Sequence, residues 1–186
     1  MKVLFRTDAS LEIGTGHVMR CLTLADALRL RGCESVFVCR EHSGHLGERI
    51  RQRGHAIHLL PTTMQPRTLN FSDQPPHLAW LGSDWESDAE QTAALVRSAG
   101  FDLLVVDHYA LDARWERKLR PFFKRVLAID DVADRAHDCD FLLDQNLIAE
   151  FGHRYAGKLP AACVQMLGPA YALLQPQYAE LHDKLP

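Results

Sequence analysis

The sequence predicts a doubly wound α/β fold, in which helices cover both faces of a parallel sheet. Short apolar runs alternate with segments whose apolar residues recur every three or four positions, beginning in the order β-α-β-α-β. The first run is apolar without alternation, as expected of a strand buried on both faces. With 186 residues, 47% of them hydrophobic, the chain has the size of one domain with a substantial core.

The first predicted unit, residues 2–32, is a strand, a turn and a helix. Residues 3–5 form the apolar strand, and Thr15 is the expected cap of a helix that ends at Gly32. One stripe of this helix is apolar and should face the core. It consists of Val18, Cys21, Leu22, Ala25 and Leu28.

The turn before this helix is the first candidate site. It follows Asp8 and contains Gly14, Thr15 and Gly16, and His17 stands in the first helical turn. Because the first N–H groups of a helix lack internal partners, the turn can bind a phosphate or another anion; alternatively, the glycines only let helix and strand approach. His17 is either a general base or a capping or surface group. The spacing matches neither a dinucleotide fingerprint nor a P-loop.

Two more strands complete the N-terminal pattern. Residues 35–39 and 56–60 are predicted strands, and residues 46–53 a helix closed by Gly54. Residues 61–79 carry four prolines and no hydrophobic periodicity, which predicts either a long, mobile loop near the site or a lineage-specific insertion. Folds of this kind bind ligands outside the carboxyl ends of the strands, where the glycine turn also lies.

A tryptophan pair surrounds the start of the next helix. Ser83 or Asp84 should cap this helix, which reaches about residue 99. Trp80 and Trp85 flank the cap. Either the indoles stack on a sugar face or they pack a lid against the core.

The later strands end in polar residues. A strongly apolar strand, residues 101–106, delivers Asp107, His108 and Tyr109 at its carboxyl end. These three residues either take part in chemistry, or Asp107 caps the turn while the other two pack beneath it. The remaining predicted elements are a helix over 111–119 with Trp115 inward, a strand over 125–129 ending at Asp130 and Asp131, a strand over 141–143 ending at Asp144, Gln145 and Asn146, a strand over 164–167 and a helix over 175–184.

Composition excludes several classes of protein. The chain lacks an apolar run of about 18 residues that could span a membrane. The N-terminus enters a strand after one lysine and has no cleavable signal pattern, which predicts a cytoplasmic protein. A net charge of −3 with both signs interspersed predicts no nucleic-acid partner, and five cysteines without a CxxC pair predict reduced, mostly buried thiols.

Metal-binding patterns are weak. Residues 138–140 (DCD) match the Asp-x-Asp pattern of metal-dependent glycosyltransferases, but three-residue matches are common by chance. His42 with His45, and His55 with His58, have no third ligand nearby. We predict no structural metal and no cofactor.

Five segments in order resemble the motifs of the pseudaminic-acid-pathway sugar-nucleotide hydrolases. They are RTDASLEIGTGHVMRCLTLADALRLRG, LGSDWESDAEQT, LLVVDHYALDARWE, AIDDVADRAHDCDFLLDQN and LGPAYALLQPQY, and they cover nearly the whole chain. Members of that family hydrolyse UDP-2,4-diacetamido-2,4,6-trideoxy-β-L-altropyranose to the free sugar and UDP.

The resemblance implies a two-domain GT-B architecture. Residues 1–170 would be its Rossmann-like N-terminal domain and residues 171–186 an interdomain connector. The family's C-terminal domain, which does most of the uridine and diphosphate binding, has no counterpart in this chain. The implied partners are therefore a UDP-sugar substrate and a C-terminal GT-B domain.

The resemblance also assigns roles to residues. The family's general base falls on His17, and Asp8 of the same motif is expected to orient His17 or to bind a sugar hydroxyl. The expected substrate-binding residues are Gly14, Thr15, Gly16, Asp107, His108, Tyr109 and Asn146.

The implied reaction is compatible with these side chains. Because UDP is a good leaving group, a base that activates water and donors for the diphosphate suffice, without the carboxylate pair of glycosidases. We expect a metal-independent, inverting hydrolysis with His17 as base. The alternatives are a GT-B glycosyltransferase or epimerase for another UDP-sugar, and a non-catalytic sugar-binding module.

Overall fold

A computed structural model describes residues 1–62, 77–148 and 152–178. The described part contains one seven-stranded parallel sheet and four complete α-helices. The strands are β1 (Lys2–Thr7), β2 (Glu34–Arg40), β3 (Ala56–Leu60), β4 (Leu103–Asp107), β5 (Arg125–Ile129), β6 (Phe141–Asp144) and β7 (Val164–Leu167). The helices are α1 (Gly16–Arg29), α2 (Gly47–Gln52), α3 (Trp85–Val96) and α4 (Ala113–Leu119). None of the described helices is long and apolar enough to cross a bilayer.

The sheet separates two apolar layers. On one face, Leu22 of α1 and Ile50 of α2 lie in the same buried cluster as Phe5 of β1. On the other face, Ala93 of α3 and Trp115 of α4 belong to a second cluster. Helices therefore cover both faces, which confirms the predicted doubly wound fold.

The strand order places the switch point between β1 and β4. The order is β3-β2-β1-β4-β5-β6-β7, so the chain first moves outward from β1 and then returns to its other side. All neighbouring strands are parallel. In folds of this kind, ligands bind in a crevice at such a reversal, which is expected here outside the carboxyl ends of β1 and β4.

Element bounds follow the predictions closely. The predicted bounds of β3, β5 and β7 agree with the structure, whereas α1 ends at Arg29 rather than Gly32. Most of the predicted 61–79 loop, residues 63–76, lies outside the described residues. Of the predicted 175–184 helix, residues 176–178 are helical and residues 179–184 also lie outside the described residues.

A buried ion-pair network, which the sequence did not predict, joins α3 to the sheet. Arg6 of β1 donates to both carboxylate oxygens of Asp88, at 3.1 and 2.6 Å. Arg40 of β2 donates to Asp88 at 2.6 Å, and the indole N–H of Trp115 donates to it at 2.9 Å. Because each charge is paired inside the protein, the network fixes the position of α3 without leaving a buried charge alone.

Candidate active site

Side-chain alternation in β1 and β4 decides which groups meet α1. Successive side chains of a strand point to opposite faces. Phe5 lies in the layer under α1, so Asp8, three positions on, faces the opposite layer. In β4, Val105 lies under α1 and Asp107 follows on the same face, whereas His108 continues toward the layer of Asp8.

His17 meets Asp107 across the switch point. Nδ1 of His17 lies 2.6 Å from Oδ1 of Asp107, and His17 is 7% exposed while Asp107 is fully buried. Because a carboxylate only accepts, this short contact favours a proton on Nδ1, and a neutral imidazole of that tautomer has its lone pair on Nε2. Nη2 of Arg20 lies farther from Nδ1, at 3.3 Å. Nε2 makes no hydrogen bond to the described residues and is not enclosed by them.

Arg20 holds the other side of Asp107. Its Nε donates to Oδ2 at 2.5 Å and its Nη2 to Oδ1 at 2.6 Å. Although burial opposes ionisation, His17 and Arg20 keep the pKa of Asp107 well below its usual value. Sequence reasoning missed Arg20; the available signal was its position three residues after His17, on the same face of a helix.

Asp131, at the tip of β5, connects this pair to the later strands. Its carboxylate accepts hydrogen bonds from Arg20 and, at 2.9 Å, from the Tyr109 hydroxyl. The side-chain amide of Asn146 donates to the backbone oxygen of Asp131 at 3.3 Å. Two of the expected binding residues, Tyr109 and Asn146, therefore meet at the rim of the crevice.

Asp8 does not contact His17, contrary to one of its expected roles. Its Oδ1 accepts from Arg6 at 2.7 Å and from the backbone N–H of Arg40 at 2.6 Å, and its Oδ2 lies 3.3 Å from Nε2 of His108. Asp8 is fully buried and His108 is 2% exposed. The orienting contact to His17 comes from Asp107 instead, because Asp8 faces the other layer.

The glycine turn is exposed in front of α1. Thr15 occupies the N-cap position, but its side chain makes no capping hydrogen bond. Gly14 has a φ of +79°, a conformation that favours glycine, and its N–H donates to the backbone oxygen of Ser10 at 2.9 Å. A Cβ added at Gly16 would meet no described atom within 4 Å. Close approach of helix and strand therefore does not explain Gly16.

Cys21 is the thiol beside the histidine–aspartate pair. Its Sγ lies 3.5 Å from Oδ2 of Asp107, and the residue is fully buried. Burial, followed by the charge of Asp107, raises the pKa of this thiol well above its usual value. Since the thiolate is the reactive form, Cys21 is not placed to act as a nucleophile.

The Asp-x-Asp run lies away from the crevice. Arg120 donates to Asp138 at 2.9 Å and to Asp140 at 3.1 Å, just before β6 begins. The two carboxylates thus serve a structural ion pair at the amino edge of the sheet. Among the described residues, no group of three His, Cys, Asp or Glu side chains is arranged to hold a metal ion.

The fold and the site define a Rossmann-like α/β domain whose switch-point crevice holds a histidine oriented by a buried aspartate. With Nδ1 bonded to a carboxylate and Nε2 open, such a histidine can take a proton from a group bound in the crevice.

Comparison with known proteins finds a relative of known activity that is similar to this chain. The chain is 29% identical over 180 residues to the UDP-2,4-diacetamido-2,4,6-trideoxy-beta-L-altropyranose hydrolase of Campylobacter jejuni subsp. jejuni, which confirms the predicted resemblance. The match covers 96% of this chain and 53% of that protein, so the chain spans about half the length of this curated relative. No protein-family model matches the chain. Among solved structures, MurG of Acinetobacter baumannii aligns with a TM-score of 0.49 and 12% identity over 88% of this chain and 44% of that protein.

Proposed function

We propose that this chain is the sugar-side, N-terminal domain of a hydrolase that cleaves a UDP-linked 2,4-diacetamido-2,4,6-trideoxyhexose at its anomeric carbon. The products are UDP and the free sugar. The observation that carries the proposal is the His17–Asp107 pair at the switch point of the sheet, with Nε2 of His17 free of hydrogen bonds to the described residues. The proposed substrate is that of the similar Campylobacter jejuni hydrolase.

His17 acts as the general base in this proposal. Nε2 takes a proton from water as its oxygen bonds to the anomeric carbon and the bond to UDP breaks. Asp107 stabilises the imidazolium that forms, as a buried aspartate does in other histidine-dependent hydrolases. Water attacks from the side opposite to UDP, so the anomeric configuration is inverted. The departing diphosphate needs no proton, and we propose that no metal takes part.

In this proposal, the chain supplies one part of the active site and a second domain supplies the other. We propose that residues 1–170 form one half of a GT-B fold and residues 171–186 lead to a C-terminal domain that binds most of UDP. The half-length match to the relative supports this division. The exposed turn 14–16, at the start of α1, would face the diphosphate, because helix N–H groups favour negative charge.

The test is direct assay of the full-length protein. With UDP-2,4-diacetamido-2,4,6-trideoxy-β-L-altropyranose, NMR should show UDP and a sugar released first as the inverted α-anomer. Water labelled with oxygen-18 should place the label on the sugar and not on UDP. The rate should be unchanged by a chelator.

Other products would overturn the proposal. Sugar transferred to an acceptor would identify a glycosyltransferase, and an isomerised UDP-sugar an epimerase. Binding without turnover would identify a sugar-binding module. Tight binding of UDP to residues 1–186 alone would contradict the assignment of UDP to a second domain.

A further inference from the structure

An aromatic cluster made of His77, Trp80 and Tyr109 stands beside the base. The ring of Tyr109 meets His17 edge to face, with centroids 4.5 Å apart and planes at 83°. The Trp80 ring lies 6.0 Å from Tyr109 at 30°, and His77 lies 5.2 Å from Tyr109 and 4.5 Å from Trp80. A continuous aromatic surface therefore extends outward from His17.

Core packing does not account for Trp80. Trp80 is half-buried and, within the described chain, belongs to neither buried apolar cluster. Trp85, five residues later, offers a contrast: it packs against the core, and Arg114 lies over its ring at 5.1 Å. The two tryptophans that flank the α3 cap thus have different surroundings.

Tyr109 fixes the cluster relative to the base. Its hydroxyl donates to Asp131, and burial together with that carboxylate raises its pKa above the usual value. The phenol therefore stays neutral and does not compete with His17 for a proton. Its ring is held by the guanidinium of Arg135, 5.7 Å from the ring centroid, and lies between His17 and Trp80.

We propose that Trp80 and Tyr109 form a subsite for the apolar side of a 6-deoxy sugar, and that Trp80 is a specificity-determining residue. This inference rests on the proposed hydrolase function. A 6-deoxyhexose carries a methyl group at C5 in place of a hydroxymethyl group, and C–H bonds of a pyranose pack well on aromatic faces. A sugar that packs on the half-buried indole of Trp80, beside Tyr109, can present its methyl group to the indole and its anomeric carbon toward His17.

Substitution at Trp80 should raise KM and leave the chemical step nearly intact. In the full-length protein, Trp80→Ala should raise KM for the UDP-sugar about tenfold, and Trp80→Phe about threefold, with kcat within about threefold of wild type. The preference for the substrate over its analogue with a C6 hydroxyl should fall by a similar factor in Trp80→Ala. The matched control, Trp85→Phe, should keep KM within about twofold.

Fluorescence separates sugar binding from turnover. In a His17→Asn background, the UDP-sugar should change tryptophan emission whereas UDP alone should not. Adding Trp80→Phe should remove the change, and adding Trp85→Phe should retain it. Unaltered KM in both Trp80 variants, or a sugar-dependent change that survives Trp80→Phe, would overturn the subsite.

The two proposals fail in different ways. If the wild-type protein hydrolyses the UDP-sugar but Trp80→Ala keeps its KM and selectivity, the hydrolase function stands and the subsite is wrong. If the wild type does not hydrolyse it, the function is wrong whatever Trp80 does. Thermal unfolding of Trp80→Phe should match the wild type, so that a change in KM reports binding rather than misfolding.

Discussion

Among the described residues, two histidines contact a carboxylate through Nδ1, and the two pairs differ in what surrounds the second ring nitrogen. Nδ1 of His17 lies 2.6 Å from Asp107, and Nδ1 of His137 lies 2.7 Å from Glu116. Both histidines are largely buried. The contact at Nδ1 therefore does not distinguish a candidate base from a structural ion pair.

The second nitrogen does distinguish them. Nε2 of His137 is buried and lies 3.8 Å from Oδ2 of Asp130, whereas Nε2 of His17 is not buried among the described residues. Burial opposes charge on His137, but the attraction of Glu116, with Asp130 nearby, raises its pKa to about 9. A histidine already protonated at neutral pH cannot accept a proton, so His137 is not placed to act as a base.

The largest expected effect comes from removing that base. His17→Asn should lower kcat about 10³-fold, because a positioned base typically contributes 10² to 10⁴. KM should change little, since the substrate contacts remain. Steady-state hydrolysis by the full-length protein measures both quantities.

The exposed His58 of β3 offers a matched control, because it lies at the sheet edge away from the crevice. His58→Asn should retain full activity. Should His17→Asn keep more than about a tenth of the wild-type rate, the base role would have to be abandoned.

The next effect should come from the orienting carboxylate. Asp107→Asn should lower kcat about 10²-fold, because an amide neither fixes the proton on Nδ1 nor stabilises imidazolium as a carboxylate does. Asp8→Asn should affect stability more than kcat, because Asp8 contacts Arg6 and the backbone of Arg40 rather than His17. A larger loss of kcat in Asp8→Asn than in Asp107→Asn would transfer the orienting role to Asp8.

His137 should show the opposite behaviour to His17. His137→Asn removes the charge that pairs with buried Glu116, and breaking a buried pair costs about 3 kcal/mol of unfolding free energy or more. The activity of the folded fraction should stay near wild type. Urea denaturation checks the first expectation, and a loss smaller than about 1 kcal/mol would show that the pair is not a structural element.

The alternation of apolar runs and helical stripes made the fold predictable. The bounds of β3, β5 and β7 could be predicted because each run is closed by turn or polar residues. Since parallel strands all end at one edge, His17, Tyr109 and Asn146 could be assigned to the same region before their contacts were known. Trp115 could likewise be placed inward, and it is fully buried.

The pairing at the site could not be predicted in the same way. Asp8 precedes His17 by nine positions and Asp107 follows it by 90, so nearness in sequence favoured Asp8. Side chains of a strand alternate between the two faces of the sheet, so an aspartate faces α1 only if it lies on the face that α1 covers. The structure identifies that face by Phe5 and Val105, which pack in the layer of α1. Asp131 joins the site because the long side chain of Arg20 crosses from α1 to reach it, a contact that no local pattern encodes.

The smallest expected effect is a pH dependence of the structural pair. Because folding raises the pKa of His137 from 6.5 to about 9, its contribution to stability is complete below about pH 6.5 and disappears as the pH rises through 9. The difference in unfolding free energy between wild type and His137→Asn should therefore shrink by up to about 3 kcal/mol between pH 6 and pH 10. A constant difference for His137→Asn over the same range would mean that folding does not raise the pKa of His137, and the contrast between the two pairs would then rest on access to Nε2 alone.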